Sequence, residues 1–392
     1  MRIGIFTDTY KPQINGVVTS IVTLKEELEK LGNEVFIFTA SVPGYKTDEK
    51  GVYSISSMPF KPCPPMRLAN PVSLEITKIA INLNLDIIHT QTEFSVGALG
   101  KFIAKITKCP IVHTYHTLYE DYTHYILGQS LDDFKKHCTR SYSRFFCNRN
   151  DYIIAPTEKV NDLLLSYGVK KPIQIIPTGI DVYKFSSSNY TEDEKINLKK
   201  SLGLDKNDKV IINVGRLAEE KNLSIVIEEL SDYLKENSDV KLVLVGDGPY
   251  RTNLENLVHD KNLSDKVIFV GFKPFNDIAI YYQIADIFVS ASTSEAQGLT
   301  YLEAMSAGIP VIAKRDECLN WLINNRTNGC FFDDDKELPV LVNNILTNTD
   351  YNKYLSKNAL KTAMNNSSAS FGSRVNSLYK QVLEYKYKKS AI

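Results

Sequence analysis

Two α/β domains of Rossmann-like type are predicted by three observations. Residues 286–312, DIFVSASTSEAQGLTYLEAMSAGIPVI, read as strand, polar loop, helix and strand, and residues 3–39 repeat that order with a longer first loop. At 392 residues the chain exceeds one ordinary core, and 43% hydrophobic content is enough to bury two.

Composition narrows the classes of partner. Lys and Arg (46) balance Asp and Glu (46), so there is no global pull toward nucleic acid, and any attraction to a membrane or polyanion must be local. The six cysteines show neither CxxC nor a zinc spacing, which predicts a reducing, cytosolic setting. Met1-Arg2 lead directly into the apolar IGIF, so no secretory leader is expected, and no apolar run reaches the roughly 18 residues of a bilayer span.

In the first half, Ile3–Phe6 is a strand, a helix runs from about Val18 to Leu31, Gly32 stops it, and Val35–Thr39 is the next strand. The Asn15-Gly16-Val17 turn falls at the first strand's carboxyl end, where backbone amides reach a diphosphate; without GxGxxG spacing it equally reads as a plain turn. Prolines over residues 58–71, MPFKPCPPMRLANP, predict a long loop. Asp86–His89 and Pro110–His113 are buried strands ending in polar residues. The second opens HTYHT, in which His116 reads either as a contact to a sugar hydroxyl or as a hydrogen-bonded loop histidine. His113 and His116 lack a third ligand for zinc.

From Lys135 to Asn150 there is no acidic residue. Lys136, Arg140 and Arg144 make an i, i+4, i+8 stripe, with Lys135 and Arg149 nearby and Tyr142, Phe145 and Phe146 on adjacent faces. That pattern fits a helix lying on anionic lipid, and it also fits a surface helix whose aromatic side faces the core. Tyr152–Pro156 and Ile173–Ile176 complete the first domain, placed at 1–180, and residues 181–208 read as a polar linker containing a charged helix.

The second domain, 209–370, starts with the strand Lys209–Val214 and GRLAEEKN. Arg216 and Lys221 precede a helix over Leu223–Asn237, and two cations at a helix amino terminus read as flanking an anion, with plain exposed basic residues as the alternative. Lys241–Val245 runs into GDGP, which reads either as a tight turn or as a place where Gly246 permits backbone approach to a nucleotide, and Val267–Gly271 runs into Phe272, whose backbone is a candidate contact to a base. After the strand Ile287–Val289, Gly298 leaves the amides of Leu299 and Thr300 open to a phosphate at the helix mouth. Glu295 and Glu303 flank that mouth as hydroxyl acceptors, so phosphate and sugar together describe the ligand; an ordinary solvated pair is the alternative. Asp333–Asp335 read as a strand ending in solvent, not as a metal site.

GRLAEEKN, VGDGP, VGF and EAQGLTYLEAMSAGIPVIA, with NGV and PTGID in the first half, resemble the retaining glycosyltransferases of family 4 in order and along nearly the whole chain. The resemblance implies the GT-B fold: two Rossmann-like domains facing a central cleft, with the carboxyl-terminal helix at 371–392 returning to the first domain. Glu295 and Glu303 match that family's E-x7-E motif. The implied donor contacts are Arg216 and Lys221 on a diphosphate, Glu295 on sugar hydroxyls, Glu303 on ribose, Leu299 and Thr300 amides on phosphate, and Gly16 from the first domain. Arg216, Lys221, Glu295 and His116 are the implied catalytic set.

Within the family, HTYHTLYEDYTHYI, SRFFCNRNDYIIAPT and EAQGLTYLEAM resemble bacterial enzymes that glucosylate 1,2-diacylglycerol. This implies UDP-glucose as donor, diacylglycerol in an anionic membrane as acceptor, no nucleic acid, no cofactor or metal, and a peripheral place on the cytoplasmic membrane face. Lys135, Lys136, Arg140, Arg144, Phe145, Phe146 and Arg149 would then face lipid. Such relatives often carry a more basic run after the proline loop, where this chain has only Lys61 and Arg67. A soluble acceptor, or a nucleotide-sugar sensor without turnover, are the alternative functions.

Overall fold

The computed structural model describes residues 1–13, 15–60, 67–116, 132–274 and 277–390, with backbone alone for 132–136 and 387–390. It forms two compact units, Met1–Gly179 with the carboxyl-terminal segment from Ser368, and Ile180–Ser367.

The strands of the first unit are β1 (Arg2–Thr7), β2 (Glu34–Ala40), β3 (Val52–Ile55), β4 (Ser57–Pro59), β5 (Arg67–Ala69), β6 (Ile87–Thr90), β7 (Ile111–Thr114), β8 (Tyr152–Ala155) and β9 (Ile173–Ile175). All but β4 and β5 make one parallel sheet in the order β3-β2-β1-β6-β7-β8-β9. Helices cover both faces of such a sheet, which is why its strands are near-continuous apolar runs. Ile3, Ile5, Phe6, Ile37, Phe38, Ile87 and Ile88 are fully buried.

The segment 58–71 differs from the expected loop. β4 and β5 pair antiparallel, and Arg67 holds the hairpin by donating from Nε to the Ser41 carbonyl and Ser57 Oγ, both at 2.8 Å, and from Nη2 to the Ser57 carbonyl at 2.9 Å. Pro59 is tolerated because it ends its strand, and residues 61–66, including Lys61, lie outside the described set.

The helix Ser368–Ser390 belongs to the first unit for a reason visible in its spacing. Phe371, Val375, Leu378, Tyr379 and Val382 recur every three or four residues and share a buried cluster with Ile21, Leu24 and Leu28 of the helix Gly16–Lys30.

The second unit holds β10 (Lys209–Val214), β11 (Val240–Val245), β12 (Val267–Gly271), β13 (Ile287–Ser290), β14 (Val311–Lys314) and β15 (Gly329–Phe332), parallel and ordered β12-β11-β10-β13-β14-β15. The expected linker at 181–208 is part of this unit. Its polar composition hides three anchors, since Val182, Phe185 and Leu204 are buried in the unit's core with Ile180, Val210, Tyr282 and Phe288. The helix expected over Leu223–Asn237 forms as two segments, Leu223–Glu229 and Ser231–Glu236, joined through Leu230.

Each sheet starts in its middle, winds to one edge and then returns to the other side of its first strand. The order therefore reverses between β1 and β6 and between β10 and β13. At such reversals the loops at the carboxyl ends diverge and leave a crevice for ligands.

Candidate active site

At the reversal in the second unit, the loops after β10 and β13 are laced together. Lys221 ends a short 3-10 turn, Glu219–Lys221, and its Nζ donates to Glu295 Oε1 at 2.6 Å. Next to it, Asn222 takes a left-handed conformation (φ 51°) and donates from Nδ2 to the Ala291 carbonyl at 3.2 Å. Ser294 Oγ reaches the Glu220 carbonyl at 3.3 Å. Arg216 pairs with Glu220 within its own loop. Both cations therefore have a carboxylate on them.

Gly298 begins the helix Leu299–Ser306 at φ 80°. A β-carbon there would stand 2.6 Å from Leu319 Cδ2, so a side chain would have to displace that leucine, and the left-handed backbone itself favours glycine. Leu299 and Thr300 occupy the first turn, whose amides have no carbonyl partner within the helix. Such a mouth favours an anion. Glu303, one turn on, is buried and accepts a hydrogen bond from Tyr282 Oη at 2.7 Å. Burial pushes its carboxyl up to about 7, although the Tyr282 hydrogen bond and the Lys184 charge oppose the shift. The two carboxylates of the motif are thus unlike: Glu295 faces a cation, Glu303 a phenol in a dry setting.

Gly246, at φ 146°, follows β11, and a β-carbon on it would lie 1.8 Å from the Gly215 carbonyl oxygen. The strand ends after β10, β11 and β12 approach one another there, with the Gly246 amide bonded to the Gly271 carbonyl at 3.0 Å. Phe272 leaves β12 with an exposed side chain. Asp333 pairs with Arg315 and Asp335 with Lys314, and no group of three metal-ligating side chains occurs among the described residues.

At the reversal in the first unit, Asp8 joins the two diverging strands. Its carboxylate accepts from Thr92 Oγ1 at 2.6 Å and from the Val96 amide at 2.9 Å, capping a helix, Ser95–Thr107, whose own Phe94 supplies no side-chain cap. The expected Asn15-Gly16-Val17 turn is instead a helix start: Asn15 Oδ1 caps the Val18 amide at 2.9 Å, and Gly16 is the first helical residue.

His116 follows β7 and is partly buried, with its Nε2 2.6 Å from Gln91 Oε1. Burial first, and the neighbouring His113 second, bring the His116 imidazole down to about 3, so its neutral form prevails. His113 is fully buried, with Nε2 3.0 Å from Glu93 Oε1. Gln91, Glu93 and Tyr282 are the polar partners that reading the sequence did not single out. TQTEF, just past the strand of His89, carried a signal for the first two; nothing local marked Tyr282.

The basic helix extends over Asp132–Cys147. Arg140, Arg144 and Phe145 are exposed on it, and Arg149 just beyond stacks its guanidinium 3.4 Å from the Phe145 ring centroid. Phe146 corrects the expected lipid-facing set. It is buried, edge-on to His113 at 4.9 Å, with Lys101 Nζ 3.0 Å from its ring centroid. The Lys135 and Lys136 side chains, and residues 117–131, lie outside the described set. Among the described residues no helix is long and apolar enough to cross a membrane.

The sequence profile of the Glycosyl transferases group 1 matches residues 194–362, and that of Glycosyltransferase Family 4 matches residues 14–184. The chain is 41% identical to an alpha-monoglucosyldiacylglycerol synthase of Streptococcus pneumoniae over 97% of its own length and 85% of the relative's. It is 36% identical to one of Acholeplasma laidlawii, over 92% of each. Among solved structures, Anabaena Alr3699/HepE in complex with UDP superposes with a TM-score of 0.79 at 19% identity, over 97% of this chain and 100% of that one. The fold, the ordered motifs and these relatives agree, and the chain belongs to the family 4 glycosyltransferases of the GT-B fold.

Proposed function

We propose that this glycosyltransferase moves glucose from UDP-glucose to the 3-hydroxyl of 1,2-diacylglycerol, retaining the α configuration, as a peripheral protein on the cytoplasmic face of the membrane. The observation that carries the donor half is the Lys221–Glu295 pair beside the Gly298 helix mouth at the strand-order reversal. One cluster thus offers cations, helix amides and carboxylates, which are what diphosphate and sugar hydroxyls need. Support for the lipid half comes from the two synthase relatives and from the exposed Arg140, Arg144, Phe145 and Arg149.

In this reading Arg216, Lys221 and the amides of Leu299 and Thr300 hold the diphosphate and stabilise the charge it gains as the glycosidic bond breaks. Preorganised charge of that kind is the largest single source of rate in such transfers, and no metal or resident cofactor is assigned. Glu295 accepts from glucose hydroxyls; Lys221 shares its ammonium between that carboxylate and phosphate. Glu303 accepts from ribose, with Tyr282 fixing its rotamer. Gly246 and the backbone at Phe272 border the nucleotide. His116 orients a hydroxyl of the sugar or the acceptor. No covalent nucleophile is assigned.

Labelled UDP-glucose and UDP-galactose, each offered diacylglycerol in phosphatidylglycerol vesicles or a panel of soluble acceptors, test the reading. Lipid-extractable label from UDP-glucose is expected. Label only in a soluble acceptor overturns the lipid assignment, and UDP-sugar binding without any turnover makes the chain a sensor.

A further inference from the structure

We propose that Gln91 is a positioning residue that fixes His116 as its Nε2–H tautomer, so that Nδ1 presents a lone pair to a substrate hydroxyl; this rests on the substrate role given to His116 above. A neutral imidazole has one donor and one acceptor nitrogen, and which is which decides what it offers a ligand. The Gln91 carbonyl oxygen can only accept, and it stands 2.6 Å from His116 Nε2. The proton therefore sits on Nε2. Among the described residues Nδ1 meets no hydrogen-bond partner.

What favours the Gln91 amide that way round is the ring of a second histidine. The Gln91 amide nitrogen lies 3.1 and 3.2 Å from the two ring nitrogens of His89, so it sits over the ring face, where an N–H is attracted to the π cloud and a carbonyl oxygen is not. His89 is completely buried and stays neutral, its imidazole held well below the usual range by burial first and by His113 and His116 after it. Its ring is clamped on both sides, with Tyr379 Oη 2.6 Å from Nδ1 and Thr114 Oγ1 2.7 Å from Nε2. The Gln91 backbone is fixed as well, its amide donating to the Phe6 carbonyl at 2.9 Å. Gln91 is only 2% exposed, so water does not compete for the amide.

A chain of contacts thus runs from Tyr379, on the helix Ser368–Ser390, to His89, across the His89 ring face to Gln91, and on to His116, all within the first unit. Its chemical consequence is specific. A hydroxyl donating to Nδ1 has its proton aimed at the ring and its oxygen lone pairs free. With so weak a base as partner, that hydroxyl is oriented and not ionised.

The test uses the full-length chain carrying 15N-labelled histidine. Nitrogen NMR distinguishes protonated from bare ring nitrogens, and a His116→Gln variant assigns the resonances. Protonated Nε2 and bare Nδ1 are expected for His116. Protonated Nδ1 would mean that the Gln91 amide is turned round, and it overturns the proposal.

Gln91→Leu removes the acceptor. It is expected to collapse that tautomer preference and lower kcat on the order of tenfold to a hundredfold, with the KM for UDP-sugar unchanged. Gln91→Glu keeps an acceptor oxygen and is expected to keep the Nε2–H signature. A folded Gln91→Leu chain with wild-type resonances and kcat also overturns the proposal. The NMR result needs no substrate, so the two readings fail separately: sugar transfer with Nδ1–H removes only this proposal, and Nε2–H without any transfer removes the proposed function.

Discussion

Lys221 Nζ and Glu295 Oε1 stand 2.6 Å apart, joining residues 74 positions distant in sequence and tying the loops that follow β10 and β13. The pair lies where the strand order of the second unit reverses, so one contact both shapes the crevice and places a cation in it. Lys221→Ala removes that cation and leaves the partly buried Glu295 carboxylate without it. Turnover is expected to fall by at least about a hundredfold, as for Arg216→Ala, because each loses charge at a leaving group that becomes more negative in the transition state. Steady-state kinetics with UDP-glucose reads this directly. A rate near wild type in either variant rules out the diphosphate assignment.

Glu303 gives the protein a pH dependence of defined sign. Its carboxyl is raised from 4.5 to about 7 in the folded chain, so between those values the native state keeps a proton that the unfolded chain has released. Stability from this group therefore declines as pH rises through that window, by about 3 kcal/mol in all. Glu303→Gln removes the titration and keeps an acceptor for Tyr282. Thermal melts should show the variant gaining on wild type at pH 8 and not at pH 4.5. An equal gain at both would mean that the carboxyl is not shifted.

Phe145 and Phe146 are neighbours in sequence with opposite surroundings, one exposed and one buried. Phe146→Ala should cost about 3–5 kcal/mol of stability, as large core truncations do. Arg140→Gln, Arg144→Gln and Phe145→Ser together should leave stability within about 1 kcal/mol and weaken binding to anionic vesicles by about tenfold or more, at about 1 kcal/mol for each cation near the surface. Added salt should mimic the loss of charge, since exposed charges are screened beyond about 8 Å at physiological ionic strength. Vesicle co-sedimentation and denaturant melts separate the two effects. Unchanged sedimentation of the folded triple variant would return this helix to an ordinary surface role.

Full activity in excess EDTA is expected from the assignment of phosphate stabilisation to Arg216, Lys221 and helix amides. Turnover that disappears with EDTA and returns with magnesium or manganese would contradict it.

The strands were legible because a buried parallel strand is a short apolar run between polar ends: Ile287–Val289 was expected, and β13 covers Ile287–Ser290. The helix after Gly298 was legible too, since residues 286–312 read as strand, polar loop, helix and strand, and the helix spans Leu299–Ser306. Pairings across long separations left no local trace. Tyr282 meets Glu303 from 21 residues away, Asp8 meets Thr92 from 84, and Tyr379 meets His89 from 290. Nor does a helical stripe say which of two adjacent aromatics turns inward. Phe146 does because His113 and Lys101 are there to receive it. The supposed linker misled through composition: the polar residues around Ser186–Asp193 outnumber the anchors Val182 and Phe185, and the anchors decide where the segment packs.

The proposed reaction is α-retaining transfer of glucose to a diacylglycerol hydroxyl. The most direct measurement is proton NMR of the lipid extracted after incubating the protein with UDP-glucose and diacylglycerol in phosphatidylglycerol vesicles. One glucosyl group on the 3-position of diacylglycerol, with the small anomeric coupling of an α-linkage and with UDP released in equal amount, is the predicted result. A β-linked product, or UDP release with no glycolipid, would contradict it.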